Sequence, residues 1–216
     1  WSVKAFLEHD QLDDAEDIFK QAEEVEVDSL ELELSRAVLK RRQAERSGDY
    51  QEAYDYCREV RNKVKEAKTE KEKLAEIDGE LAKCCRRLER YEEGLEAIEE
   101  AIRIEPDSRH FWVKAHILAE QGKTEEALKL LLLCEKDYGS TANICWPIAR
   151  CYERLGKKEN AIEYFKKVLE DEPDNSEANG EIAGLYRQLL QSTEDLKYYD
   201  EGLPYADRQL EMDQSV

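Results

Sequence analysis

Apolar residues recur along this chain at the spacing of helices that each bury one face. At six places a small residue is followed four positions later by another apolar or small residue, and at the first five of these a third such residue stands seven positions after the first. That spacing puts all three on one side of an α-helix. The six small residues are Ala15, Ala53, Gly94, Ala127, Ala161 and Gly202. Four positions later stand Phe19, Cys57, Ile98, Leu131, Phe165 and, as the weakest match, Ala206.

These helices are expected to belong to helix pairs joined by short turns. The intervals between the six small residues are 38, 41, 33, 34 and 41 positions. Helix-turn-helix repeats have a similar period, about 34 residues in one common class. Three of the turns contain Gly48, Gly122 or Gly156, and glycine ends a helix by adopting the left-handed conformation. Pro106 and Pro173 are expected to end helices, because proline has no backbone N–H to donate.

Residues 142–173 resemble one complete tetratricopeptide repeat. The positions that carry the resemblance are Ile148, Ala149, Tyr152, Gly156, Ala161, Phe165, Val168 and Pro173. The resemblance covers nearly the whole chain, although Arg41 stands where the motif has a small residue. It implies an all-α fold, a right-handed α-solenoid of about five to six helix-turn-helix units. The chain is then a single domain with units at roughly 1–28, 29–68, 69–107, 108–141, 142–175 and 176–216.

Composition narrows the possible functions. The 216 residues are 41% hydrophobic and 39% charged, with a net charge of −19. This charge disfavours binding to nucleic acid and to anionic membranes, since both require clustered Lys and Arg. The sequence has no apolar run long enough to cross a membrane. No catalytic motif, cofactor loop or metal-ligand spacing is present, so we expect a non-enzymatic protein without cofactor or metal.

The six cysteines show no C-x-x-C spacing, and most fall where the repeat pattern needs small buried residues. A free buried cysteine behaves as a small apolar residue. Free cysteines also favour a reducing compartment, so the sequence suggests a cytoplasmic protein.

Charge is expected to separate between the two helices of each repeat. The resemblance implies that first helices line an inner, concave surface. We assign first helices to 34–47, 75–90, 108–121, 142–156 and 176–190. They have a net charge of +5 and the rest of the chain −24, whereas residues 1–33 alone have 12 acidic and 2 basic residues.

Equivalent positions of the first helices predict a basic groove with aromatic residues. Such a groove attracts an acidic ligand, and its tryptophans can contact an apolar anchor on that ligand. We therefore expect a scaffold or adaptor that binds an acidic peptide or partner segment. The alternative is that the arginines pair with neighbouring glutamates and the tryptophans are packed. The candidate groove residues are Arg42, Arg46, Lys83, Arg86, Arg87, Trp112, His116, Trp146, Arg150, Arg154 and Arg187.

Other functions remain open from the sequence. The acidic residues 1–33 of one copy could dock in the basic groove of the next, which would give a self-assembling structural scaffold. The chain could also be the interaction domain of a larger multidomain protein. An RNA-binding repeat is disfavoured, because total charge opposes it and no base-reading residue pairs recur. The carboxylate clamp by which some tetratricopeptide proteins hold acidic chaperone tails is incomplete in every triplet of units.

Overall fold

The computed structural model describes residues 6–7, 11–24, 29–67 and 71–213. Parts of the acidic segment 1–33, namely 1–5, 8–10 and 25–28, lie outside the described residues. The described residues contain helices and no strand. The helices are α1 (Leu12–Glu24), α2 (Leu30–Ser47), α3 (Gln51–Ala67), α4 (Lys71–Arg87), α5 (Tyr91–Ile104), α6 (Ser108–Glu120), α7 (Thr124–Tyr138), α8 (Ala142–Arg154), α9 (Lys158–Asp171), α10 (Ser176–Thr193) and α11 (Lys197–Asp213).

The predicted fold class is confirmed: the chain is all-α and built from helix-turn-helix repeats of the solenoid class. The predicted first helices correspond to α2, α4, α6, α8 and α10, and the small residues of the sequence pattern lie in the second helices. The chain divides into two compact units, residues 1–117 and 118–216. The division into repeats within one domain stays a prediction.

Three turns between paired helices share one backbone conformation. The N–H of the residue before the second helix donates to a carbonyl five positions earlier, from Arg90 to Cys85 (2.8 Å), Lys123 to Leu118 (2.9 Å) and Lys157 to Tyr152 (2.9 Å). This bond closes a Schellman turn, in which the preceding residue is left-handed. Two of the left-handed residues are glycines with φ near 80°, but the third is a glutamate; they are Gly122 (φ 82°), Gly156 (φ 72°) and Glu89 (φ 57°).

The small residues of the pattern are buried as predicted. Ala15, Ala127 and Ala161 have no exposed surface. At two glycine positions the packing leaves little room for a side chain. A Cβ atom on Gly94 would come within 3.1 Å of the Cβ of Cys85, and one on Gly202 within 2.8 Å of the Cβ of Tyr186. Small residues therefore recur here because two helices of a pair touch at this point.

All six cysteines are free and buried. Burial raises the pKa of the Cys85 thiol to about 12, and those of Cys145 and Cys151 to about 11. A raised pKa keeps a thiol protonated and unreactive at neutral pH. The cysteines thus serve the core, as the repeat pattern predicts. None of the described helices has both the length and the apolar character of a membrane span.

Candidate functional site: the first-helix surfaces

In the first compact unit, the first helices α2, α4 and α6 line one cleft of about 460 Å³. Charged residues dominate its walls, and they are of both signs. The basic side chains are Arg41, Arg42, Lys73, Lys83 and Arg109, and the acidic ones are Glu72, Glu76, Glu80 and Glu105. The cleft is therefore polar and only slightly basic.

The residues of α4 that line the cleft lie on one face of the helix. Its lining residues are spaced as one helix face, and they are Glu72, Lys73, Glu76, Gly79, Glu80 and Lys83. Of this face, only Lys83 was predicted from the sequence as a groove residue, and the glutamates were not. The signal was available, because positions 72, 76, 79 and 83 share one side of a helix.

A buried ion network forms one wall of this cleft. The Arg41 Nε donates to Glu80 Oε2, and Lys83 Nζ lies 2.6 Å from Glu80 Oε1. Arg41 also pairs with Glu45. Burial alone would raise the pKa of Glu80, but the charges of Lys83 and Arg41 outweigh it and hold the pKa at about 2. Arg41 can thus occupy the place of a small residue because Glu80 neutralises it.

The other candidates of the first unit are spread more widely. Arg42 lines the cleft and donates to the Leu7 carbonyl. Arg46 and Arg87 are exposed, and Arg86 is half-buried; none of the three lines the cleft. The Arg87 guanidinium lies 5.2 Å from the ring centre of Tyr50.

Trp112 and His116 form a separate aromatic pair in the first unit, with ring centres 4.3 Å apart. Both are half-buried, and Trp112 packs against the core cluster of this unit. Neither residue lines the cleft. Of the seven candidates in this unit, the structure thus brings only Arg42 and Lys83 together in the cleft.

In the second compact unit, Trp146 and Arg150 lie together on α8. The Trp146 ring packs edge to face on Phe165, with centres 5.1 Å apart. The Arg150 guanidinium lies 5.4 Å from the centre of the Trp146 ring and 5.6 Å from that of Phe165. These are distances at which a cation is attracted to an aromatic face.

Carboxylates also bind the Arg150 side chain. Arg150 donates to Glu153 at 2.9 Å and to Glu181 of α10 at 2.6 Å, and Glu177 lies 3.9 Å away. Burial lowers the pKa of Arg150, but the hydrogen bonds to Glu181 and Glu153 outweigh it, and the pKa is raised. Arg150 is thus a paired cation that links two repeats.

Arg154 and Arg187 differ from Arg150. Both are exposed, and neither makes an ion pair with another residue that the structure describes. They are therefore available to a ligand carboxylate without breaking an internal contact.

With the observed helix bounds, charge still separates between the two kinds of helix. The five first helices contain fifteen basic and eleven acidic residues, a net charge of +4 against −23 for the rest of the chain. No three His, Cys, Asp or Glu side chains among the described residues are grouped to hold a metal ion. The chemistry on these surfaces is that of binding through ion pairs and aromatic contact.

Comparison with known proteins supports the repeat assignment. A family model described as tetratricopeptide repeat matches residues 142–175, and a second with the same description matches 81–136. No curated protein matches the sequence.

Several solved structures of MamA resemble the fold. The crystal structure of MamA has a TM-score of 0.61 at 15% identity, covering 81% of this chain and 95% of that chain. A MamA fragment from Desulfovibrio magneticus RS-1 has a TM-score of 0.61 at 14% identity, with coverages of 85% and 96%. MamA MSR-1 has a TM-score of 0.56 at 21% identity, with coverages of 83% and 98%. At these identities the likeness concerns the fold alone.

Proposed function

Because this chain is a tetratricopeptide-repeat protein, we propose that it is a protein–protein interaction scaffold that binds an acidic partner segment along its first helices. The observation that carries the proposal is the separation of charge, with +4 on the first helices and −23 elsewhere. A local basic surface on an acidic protein steers an acidic segment to that surface and repels it from the others.

The proposed ligand-contacting residues are of two kinds, those already paired with glutamates and those whose charge is free. Arg150 and Lys83 are paired with glutamates, so they shape the surface more than they offer free charge. Arg154 and Arg187 offer free charge, and half-buried Trp146, on the same helix as Arg154, offers an apolar edge. An acidic segment with one apolar anchor fits this combination.

The proposed role is adaptor binding without catalysis or cofactor. We place it in the cytoplasm, because six free buried cysteines suit a reducing compartment.

Binding of a defined acidic peptide tests the proposal. The probe is a fluorescein-labelled peptide of glutamates around a central leucine, followed by fluorescence anisotropy at low and at physiological salt. We expect Arg154→Glu to weaken binding about tenfold, equivalent to about 1.4 kcal/mol. We also expect added salt to weaken binding to the unchanged protein, since exposed charges are screened.

The matched control is Lys129→Glu on the second helix α7. Lys129 is exposed like Arg154 and lies in the same compact unit, and the charge change is the same. We expect this variant to bind as tightly as the unchanged protein. If both variants lose the same peptide affinity, the loss is an effect of net charge, and the first-helix surface is not the binding site.

A second candidate function is self-assembly, and the exposed face of α1 favours it. Asp13, Asp14 and Asp17 are exposed there, whereas Leu12 and Phe19 are buried. Deleting α1 would uncover Leu39, which packs against Leu12 and Phe19, so charge reversal is the better test. We expect Asp13→Lys/Asp14→Lys/Asp17→Lys to lower the mass measured by light scattering at low salt. A monomer before and after the change would exclude self-assembly through α1.

A further inference from the structure

The sixth repeat, formed by α10 and α11, contains a cleft of about 420 Å³ that was not predicted from the sequence. Its walls are mainly small or apolar and include one cation. The principal lining residues are Ala183, Gly184 and Arg187 on α10, and Tyr199, Leu203 and Ala206 on α11.

The cleft exists because small residues stand where the fifth repeat, α8 and α9, has large ones. With Ile148 aligned on Ile182, Trp146 corresponds to Gly180 and Arg150 to Gly184. With Ala161 aligned on Gly202, Phe165 corresponds to Ala206. The Trp146–Phe165 ring pair and the arginine beside it thus have no counterpart in the sixth repeat. A concave space results, into which a large side chain can insert.

Residues of the sixth repeat are more exposed than the equivalent residues of the fifth repeat. Ala149 is fully buried, but Ala183 is half-buried. Ile162 is 4% exposed, whereas Leu203 is 42% exposed. Tyr199, one turn before Leu203, is 54% exposed. The sixth repeat therefore shows an apolar surface that the fifth repeat keeps covered, and such surfaces mark interaction sites.

The fifth repeat indicates what kind of element covers this surface. There α10 packs against α9 and brings Glu177 and Glu181 to Arg150. The apolar side of α10 is buried, through Ala178, Ile182, Leu185 and Leu189. The covering element is thus an amphipathic helix whose acidic residues meet a cation on the first helix.

The sixth repeat offers a cation in Arg187, which lies about one turn after Gly184 on α10. This residue lines the cleft, is exposed, and pairs with no described acidic residue. We propose that the cleft between α10 and α11 is a docking site for an amphipathic helix of a partner protein. The partner helix inserts a large apolar side chain between Gly184 and Ala206 and pairs a carboxylate with Arg187. The site shares Arg187 with the acidic-segment surface but differs from it in that apolar burial supplies most of its affinity.

The test uses the full chain and a peptide that copies residues 176–193, the helix that covers the fifth repeat. A lactam bridge between peptide positions 187 and 191 keeps it helical; both positions are exposed in α10. Binding is measured by fluorescence anisotropy of the labelled peptide. We expect Gly184→Trp to fill the cleft and weaken binding at least about tenfold, and Arg187→Glu to weaken it about threefold.

Gln188→Trp is the control for Gly184→Trp. Gln188 is exposed on the same helix and does not line the cleft. A Cβ atom on Gly184 meets no atom within 4 Å, so the fold accommodates the substitution at that point. Leu203→Glu is a second variant that blocks apolar burial without filling the cleft, and it should also weaken binding.

Two results would overturn the proposal. One is that the peptide does not bind the unchanged protein, or that it binds Gly184→Trp and Gln188→Trp equally strongly. The other is sedimentation velocity showing that the unchanged protein is a dimer that Gly184→Trp dissociates, because the occupant is then a second copy of this chain.

Discussion

In the two compact units, different kinds of side chain make the contacts between equivalent helices. In the first unit, α2 and α4 bury charge, and the Arg41 and Glu80 side chains that pair there are only 10% and 11% exposed. In the second unit, α8 and α9 bury rings, with Trp146 packed on fully buried Phe165. The comparison shows that the repeat fixes where helices touch and leaves the chemistry of the contact open.

The largest expected effect is on the aromatic contact of the second unit. Phe165→Ala should lower the free energy of unfolding by about 3–5 kcal/mol, because it removes buried apolar area and leaves a cavity. Urea unfolding followed by circular dichroism measures this loss. Phe165→Leu is the milder comparison and should cost less. A loss below about 1 kcal/mol in Phe165→Ala would mean that the ring does not hold the fifth repeat together.

The buried charges of the first unit allow a matched pair of substitutions on α4. Glu80 meets two cations, whereas fully buried Asp78 meets Arg61, and its Oδ2 accepts no hydrogen bond from the described residues. Burial raises the pKa of Asp78, and Arg61 offsets this only in part. We expect Glu80→Gln to cost about 3 kcal/mol, since it strands Arg41, and Asp78→Asn to cost clearly less. Equal costs in urea unfolding would contradict the contrast.

Glu80 should also make the stability of the protein depend on pH in the acid range. The pKa of Glu80 is about 2 in the folded protein, below the value of about 4 usual for an unfolded chain. Its stabilising effect is therefore complete above pH 4 or so and disappears as the pH falls towards 2. We expect Glu80→Gln to remove this acid-dependent part of the unfolding curve. An unchanged pH profile in the variant would exclude Glu80 as its source.

The smallest effect concerns the turns. Glu89→Gly should stabilise the first unit by up to about 1 kcal/mol, because glycine adopts a left-handed backbone without steric cost. Gly156→Ala in the equivalent turn of the second unit should destabilise by about 1 kcal/mol. Thermal unfolding of both variants measures the difference. Changes of the same sign would show that the shared turn conformation does not govern stability.

Much of the fold was predictable because it depends on local spacing. The positions of Ala53, Ala127 and Ala161 follow from helical periodicity alone, and all three are buried. The residues at which helices start were predicted less accurately than the buried positions. The predicted start at 34 lies inside α2, which begins at Leu30 after the Ser29 side chain caps it by accepting the Leu32 N–H at 3.1 Å. A cap depends on a single side chain, so periodicity does not reveal it.

The candidate surface was less predictable, because it depends on contacts between distant positions. Arg41 and Glu80 are 39 residues apart, and Arg150 and Glu181 are 31 apart. Counting charge by helix predicted a basic surface, but it did not show which cations are already paired. The cleft of the sixth repeat was missed because it results from Gly184 and Ala206 together, which lie on different helices.

Hydrogen exchange measured by mass spectrometry tests the central claim most directly. The protein is compared with and without a saturating amount of the glutamate-rich peptide. If the first helices of the second unit bind the acidic segment, protection should increase in peptides from α8 and α10, most strongly around Arg154, and Arg154→Glu should remove it there. Protection confined to the second helices α3, α5, α7 and α9, or no change anywhere, would contradict the account.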